Sequence, residues 1–243
     1  MAVEISGIDY DEAYKDDVSL YGEHFRAMNR FQTAASLDSM LLPFERRIVH
    51  LLREADLHSI VDLGCGTGRF LRAAEMAGID ALGFEVARVL VERLASHGRR
   101  VNQGGIEEFL DSDSLPEAIS LLEVVEHLPE PGSAIDRLLA RKQPKQLFVV
   151  VPDSVTRRRY DSRFAAHDVP PNHVTWWDRR SLSTLLERSG YKVRVETVPE
   201  SRRSLLGHIA RNRNHPPAAD TADWLRALVS PPTFWLLGIA ERP

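Results

Sequence analysis

The stretch Ser59-Ile60-Val61-Asp62-Leu63-Gly64-Cys65-Gly66-Thr67-Gly68-Arg69-Phe70-Leu71 reads as a buried strand, a glycine turn and a helix start in immediate succession. Ile60, Val61 and Leu63 favour an interior strand. Gly64, Gly66 and Gly68 let the backbone bend sharply and approach a ligand without side-chain obstruction. Phe70, Leu71 and Ala74 then fall at helical spacing, with Thr67 placed to cap the helix and Gly78 to end it in a left-handed conformation. Open α/β sheets bind nucleotide-like ligands outside the carboxyl ends of their strands, where such a turn lies. The G-x-G-x-G spacing differs from the dinucleotide fingerprint G-x-G-x-x-G and from the phosphate loop G-x-x-x-x-G-K-[ST]. Ala81-Leu82-Gly83-Phe84-Glu85 follows as a second strand, ending in an acid suited to accept hydrogen bonds from two ribose hydroxyls.

Val61-Asp62-Leu63-Gly64-Cys65-Gly66-Thr67-Gly68 resembles the first motif of the class I S-adenosylmethionine-dependent methyltransferases, and Glu85 corresponds to their ribose-binding acid. Ala118-Ile119-Ser120-Leu121-Leu122-Glu123-Val124-Val125-Glu126-His127-Leu128 resembles their fourth strand and the segment after it. The likeness runs from about Ile60 to the C-terminus and is closest to the small-molecule methyltransferases with a Glu-His pair after strand four. It implies a Rossmann-like three-layer α/β sandwich whose seven-stranded, mostly parallel sheet has an antiparallel last strand inserted between strands five and six. It also implies S-adenosyl-L-methionine as cofactor, held by Asp62, Gly64, Cys65, Gly66, Glu85 and Val86, with Glu123 facing the positive sulfonium and its amino acid tail. Related enzymes often carry an adenine-binding acid in the turn after strand three. Here Gly105 stands in its place, so Ile106 is expected to pack on the ring, with Glu107 as the alternative.

The 243 residues, 43% hydrophobic and 27% charged, suit one soluble domain of 43–243 preceded by a helical extension or lid of 1–42. No apolar run reaches the length of a membrane span, and the acidic, aromatic start is unlike a secretory signal. The single cysteine, Cys65, cannot form an internal disulfide, which fits a cytoplasmic setting; it reads as a small packed side chain. A net charge of −4 disfavours a nucleic-acid partner.

In the extension, Phe25, Met28 and Phe31 suggest a helix packed on the domain, and Tyr10, Tyr14 or Tyr21 lie within reach of the cofactor in a lid arrangement. Pro43 opens a helix with Phe44, Ile48, Leu51 and Leu52 on one face. Later strands are read at 99–103, at Gln146–Val151, at Tyr191–Thr197 and at Thr233–Ala240, with a mobile insertion from about Pro199 to Pro232. The connection Ser154–Trp177 is too long for a plain turn, and its His167–Trp177 portion has the composition of a substrate-pocket wall.

Methyl transfer from a sulfonium depends mainly on positioning, and a hydroxyl acceptor gains from a base, for which His173 and His127 are the candidate catalytic residues. The expected activity is methyl transfer to a small-molecule acceptor, with oxygen the favoured atom. Glu123, Glu126, His127 and His173 also resemble the metal-binding set of small-RNA 2′-O-methyltransferases, which leaves that reading as an alternative. A non-catalytic binding subunit is the other, against which the intact glycine turn and Glu85 argue.

Overall fold

The computed structural model describes residues 9–13, 28, 30–36, 40–160, 168–188, 190–198 and 233–243. Tyr14, Tyr21, Phe25, His167 and the insertion at 199–232 lie outside the described residues. Within them, seven strands form one sheet: β1 (Ser59–Leu63), β2 (Asp80–Glu85), β3 (Val101–Gln103), β4 (Ala118–Leu122), β5 (Gln146–Pro152), β6 (Lys192–Val198) and β7 (Trp235–Glu241), in the order β3-β2-β1-β4-β5-β7-β6. The pairings among β1 to β5 are parallel. β7 runs antiparallel to both β5 and β6 and lies between them, as the resemblance implied.

Alternation along buried strands builds the three layers, because successive side chains leave opposite faces of a pleated chain. On β5, every residue of which is buried, Phe148 and Val150 face one apolar cluster while Leu147, Val149 and Val151 face the other. The first cluster is closed by helices Pro43–Glu54, Arg69–Met76 and Arg88–Ser96, through Phe44, Ile48, Leu52, Phe70, Leu71, Leu90 and Leu94. The second is closed by helices Ile106–Asp111, Pro131–Lys142 and Arg179–Glu187, through Phe109, Ile135, Leu138, Leu182 and Leu186. Pro43 starts its helix, and Asp178 caps the last of these by accepting from the Ser181 backbone N–H at 2.7 Å.

Several local expectations are corrected. Thr67 does not cap the helix after the glycine turn: Gly68, at φ 70°, occupies the cap position and no side chain bonds there. The third strand is confined to Val101–Gln103, because the Arg99 backbone N–H is spent on the Leu94 carbonyl at the end of the preceding helix, at 3.0 Å. The connection after β5, expected to be more than a plain turn, opens with the helix Ser154–Tyr160.

The extension touches the domain at specific points. Met28 is fully buried in the first cluster, and the Gln32 side-chain amide donates to the Thr67 carbonyl at 2.9 Å. Asp11 accepts from the backbone N–H of Val89 at 3.2 Å, in the first turn of helix Arg88–Ser96.

Gly83 on β2 is where the turn and the sheet interlock: a β-carbon there would lie 2.6 Å from Cys65 Sγ and 2.7 Å from Leu71 Cδ1. Gly83→Ala overpacks this contact and is expected to cost about 1–3 kcal/mol, read as a lower urea midpoint with an unchanged slope. A variant as stable as the parent would show that the turn does not pack on β2 as described.

Candidate active site

The glycine turn leaves β1 with Gly64, Gly66 and Gly68 all at positive φ, between 54° and 73°. Gly64 must be glycine for a second reason, since a β-carbon on it would lie 2.6 Å from Val124 Cγ2 beyond β4. At the end of β2, Glu85 is 5% exposed and turns back onto this bend. Its Oε2 accepts from the Gly66 N–H at 2.7 Å and its Oε1 from the Ala87 N–H at 3.0 Å. A carboxylate has about four acceptor sites, so two remain for hydroxyl donors. Burial raises the Glu85 pKa, and the backbone donors oppose that rise.

Around this carboxylate the other expected cofactor residues take distinct places. Asp62, 2% exposed, accepts from the Ser120 hydroxyl at 2.7 Å. Its pKa is pushed up to about 8, chiefly by burial, with Glu45 and Glu85 adding repulsion. Cys65 is buried and its thiol is raised well above its ordinary value, again by burial, which fits a packing role. Val86 is half-buried directly after Glu85. The Gly104 N–H donates to the Glu85 carbonyl at 2.9 Å, which brings the turn before Ile106 to the same strand end, and Ile106 packs against the second cluster. Glu107 is held in a two-pronged pair with Arg137 at 2.6 and 2.5 Å, which lowers its pKa. Glu123, at φ 57°, accepts from the Trp235 indole N–H at 3.0 Å.

Beyond β4 the short 3-10 turn Val125–His127 meets the loop carrying His173. The Val174 and Thr175 N–H groups both donate to the Glu126 carbonyl, at 2.9 and 3.1 Å. The His127 and His173 rings stack edge-on with centroids 4.8 Å apart. Burial lowers the His127 pKa, against opposing effects from Asn172 and Glu123. Glu126, His127 and His173 are therefore brought together, with Glu123 at the start of the same segment.

Residues that sequence reasoning passed over complete the site. Glu45, 3% exposed, accepts from Arg69 Nε at 2.9 Å with both oxygens and ties helix Pro43–Glu54 to the helix after the glycine turn. Ser120, Gln32 and Trp235 likewise bond to Asp62, to the glycine turn at Thr67 and to Glu123. Ser120 had a signal, a lone polar residue inside an apolar strand; the others come from distant segments.

A family sequence model described as a methyltransferase domain matches residues 25–196, and the chain belongs to that family. A ubiquinone biosynthesis O-methyltransferase of Rickettsia conorii is 25% identical over 135 residues, 53% of this chain and 46% of the relative. One of the same name from Methylococcus capsulatus is 33% identical over 82 residues, 31% of this chain and 35% of the relative. The chain thus spans less than half the length of these relatives. Among solved structures, the plantazolicin methyltransferase BamL superimposes with TM-score 0.60 at 14% identity, over 99% of this chain and 96% of that one. An S-adenosylmethionine-dependent methyltransferase from Archaeoglobus fulgidus does so with TM-score 0.55 at 16% identity, over 90% and 99%. These likenesses establish the class I fold.

The donor set fits S-adenosylmethionine: two acceptor positions of Glu85 suit ribose hydroxyls, and the buried acids Asp62, Glu45 and Glu85 suit a ligand with positive charge. Without ligand, Asp62 keeps a proton in the folded state that the unfolded chain has lost above about pH 4. Its contribution to stability therefore falls as pH rises from about 4 to about 8 and is constant above that. Urea unfolding across this range should show a weaker pH dependence for Asp62→Asn than for the parent. Equal slopes would contradict the protonated acid.

Proposed function

We propose that this member of the methyltransferase-domain family transfers the methyl group of S-adenosyl-L-methionine to an oxygen of a small-molecule acceptor. The observation that carries the reading is the buried Glu85 carboxylate, held by backbone N–H groups between the glycine turn and the end of β2 with acceptor capacity to spare. The partial match to ubiquinone biosynthesis O-methyltransferases supports oxygen and a small acceptor, and a net charge of −4 is unfavourable for nucleic acid. A cytoplasmic setting belongs to the same reading. Among the described residues no helix is long and apolar enough to cross a membrane.

When bound, S-adenosylmethionine supplies a methyl group on a good leaving group. The chain's own residues then orient. Glu85 accepts the ribose hydroxyls; Gly64, Cys65, Gly66 and Val86 line the bend; Ile106 packs on the adenine. Asp62 and Glu123 supply negative charge for the cationic end, and Glu107 remains paired with Arg137 at the rim. In this reading the extension of 1–42 serves as a cover over the domain of 43–243, supported by the described contacts of Gln32 with the Thr67 carbonyl and of Asp11 with the Val89 N–H. His127 and His173 meet the acceptor oxygen, and holding it in line with the methyl carbon contributes much of the acceleration.

Calorimetry with S-adenosylhomocysteine tests the cofactor side. Glu85→Ala should weaken binding by about tenfold to a hundredfold, the worth of hydrogen bonds to a charged group; unchanged affinity would remove Glu85 from the site. On the acceptor side, His173→Ala should reduce kcat at least about tenfold while cofactor affinity holds. The readout is gain of one CH₂ by mass spectrometry across a panel of phenols, catechols and carboxylic acids.

A further inference from the structure

Gln32 belongs to the extension, in a helical turn at 30–33, and is 5% exposed. Its side-chain Nε2 donates to the Thr67 carbonyl at 2.9 Å. A carbonyl only accepts, so the amide nitrogen faces the glycine turn and the place of Oε1 follows from it. The fit is close: a β-carbon on Gly68 would lie 3.1 Å from Nε2, so the amide rests against backbone that a glycine leaves bare. Its neighbours hold the segment at the same turn. The Arg69 guanidinium carbon lies 5.2 Å from the centroid of the Phe31 ring, and Met28 is fully buried in the first cluster. Arg69 is fixed in turn by Glu45, which also accepts from the Leu42 N–H at 2.7 Å, where the extension ends.

The other end of the amide supplies a second observation. Oε1 is buried and, unlike Nε2, has no hydrogen-bond partner. An amide oxygen shut off from water is seldom left so, because its lost hydration is not replaced. Half of this side chain is therefore anchored on the turn, and the other half is an acceptor without a donor.

The chemistry of S-adenosylmethionine narrows the choice of donor. Its ribose hydroxyls have the Glu85 carboxylate, and its adenine is assigned to the turn before Ile106. The tail carries a carboxylate, which only accepts, and an ammonium with three N–H donors. Helix Arg69–Met76 begins directly after Gly68 with no side-chain cap, so its first N–H groups suit the carboxylate. Ammonium and carboxylate share one carbon, which brings the ammonium to the same end of the turn as Gln32. We propose that Gln32 is a cofactor-binding residue whose Oε1 accepts a hydrogen bond from the ammonium of the S-adenosylmethionine tail. This rests on the methyl-transfer reading above and gives the extension a part in recognition: a nucleoside without the tail, such as 5′-methylthioadenosine, forfeits the contact with its ribose and adenine intact.

The test is calorimetry on the full chain with two ligands, S-adenosylhomocysteine and its analogue in which hydrogen replaces the α-amino group. The parent should bind the analogue more than about tenfold more weakly, the worth of a hydrogen bond to a charged group. Gln32→Met keeps the length of the side chain and removes the acceptor, so this penalty should fall by about tenfold. Gln32→Glu restores an acceptor: a protonated carboxyl can donate to the Thr67 carbonyl and accept with its other oxygen, as the amide does, and the penalty should persist. A Gln32 that serves structure alone would weaken both ligands equally on replacement by Met; a penalty as large in Gln32→Met as in the parent would therefore overturn the assignment. Where Gln32→Met does not fold, Gln32→Glu carries the test, and a penalty lost there overturns the assignment equally. The two readings fail differently. A parent that binds no S-adenosylhomocysteine discards both, whereas a parent that binds the two ligands with equal affinity keeps the cofactor and discards the role of Gln32.

Discussion

The Gly66 N–H donating to the Glu85 carboxylate joins the end of β2 to the bend after β1, and the remainder of the site depends on that bond. It closes a short circuit of backbone, because the Gly64 and Cys65 N–H groups also bond the Phe84 carbonyl just before it. Three donors from the turn thus converge on the last two residues of one strand. A chain can curl that tightly only with left-handed residues at the glycine positions, so the turn's conformation and the carboxylate's position are a single constraint.

That constraint concentrates negative charge. Asp62, Glu45 and Glu85 are each nearly inaccessible to water, and the neutralising groups nearby are the Arg69 guanidinium on Glu45 and the Ser120 hydroxyl on Asp62. The protein accommodates this by leaving Asp62 protonated near neutral pH, a state that a cationic ligand would reverse. Desolvation that is costly without ligand becomes affinity when charge of the opposite sign arrives. Beyond β4 the Glu126 carboxylate is likewise shut off from water, close to the His127 and His173 rings.

The two regions are linked through the ends of parallel strands. Glu123, in a left-handed conformation that non-glycine residues seldom adopt, is the hinge between β4 and the turn that carries Glu126 and His127. Its N–H bonds the Val150 carbonyl and its carboxylate takes the Trp235 indole, so β5 and β7 both hold it in place. Strain of this kind survives only where surroundings enforce it, and it gathers at functional positions.

The fold was legible in the sequence because it follows from local rules. Apolar runs at Ile60, Ala81, Ala118 and Leu147, each followed by a helical period, admit little besides a doubly wound sheet, and the glycine spacing with Glu85 pointed to the ligand-binding edge. The cap expected of Thr67 failed because the left-handed Gly68 takes the cap position, so Thr67 lies one residue too early. Likewise Glu107 faced Arg137 once helix Pro131–Lys142 was packed beside it. What only tertiary structure decided is which distant polar groups share a desolvated space: Glu45 with Arg69, Ser120 with Asp62, His127 with His173. Strand and turn preferences act over a few residues and can be read in order, whereas the pairing of buried charges depends on which elements the chain folds into contact, tens of residues apart.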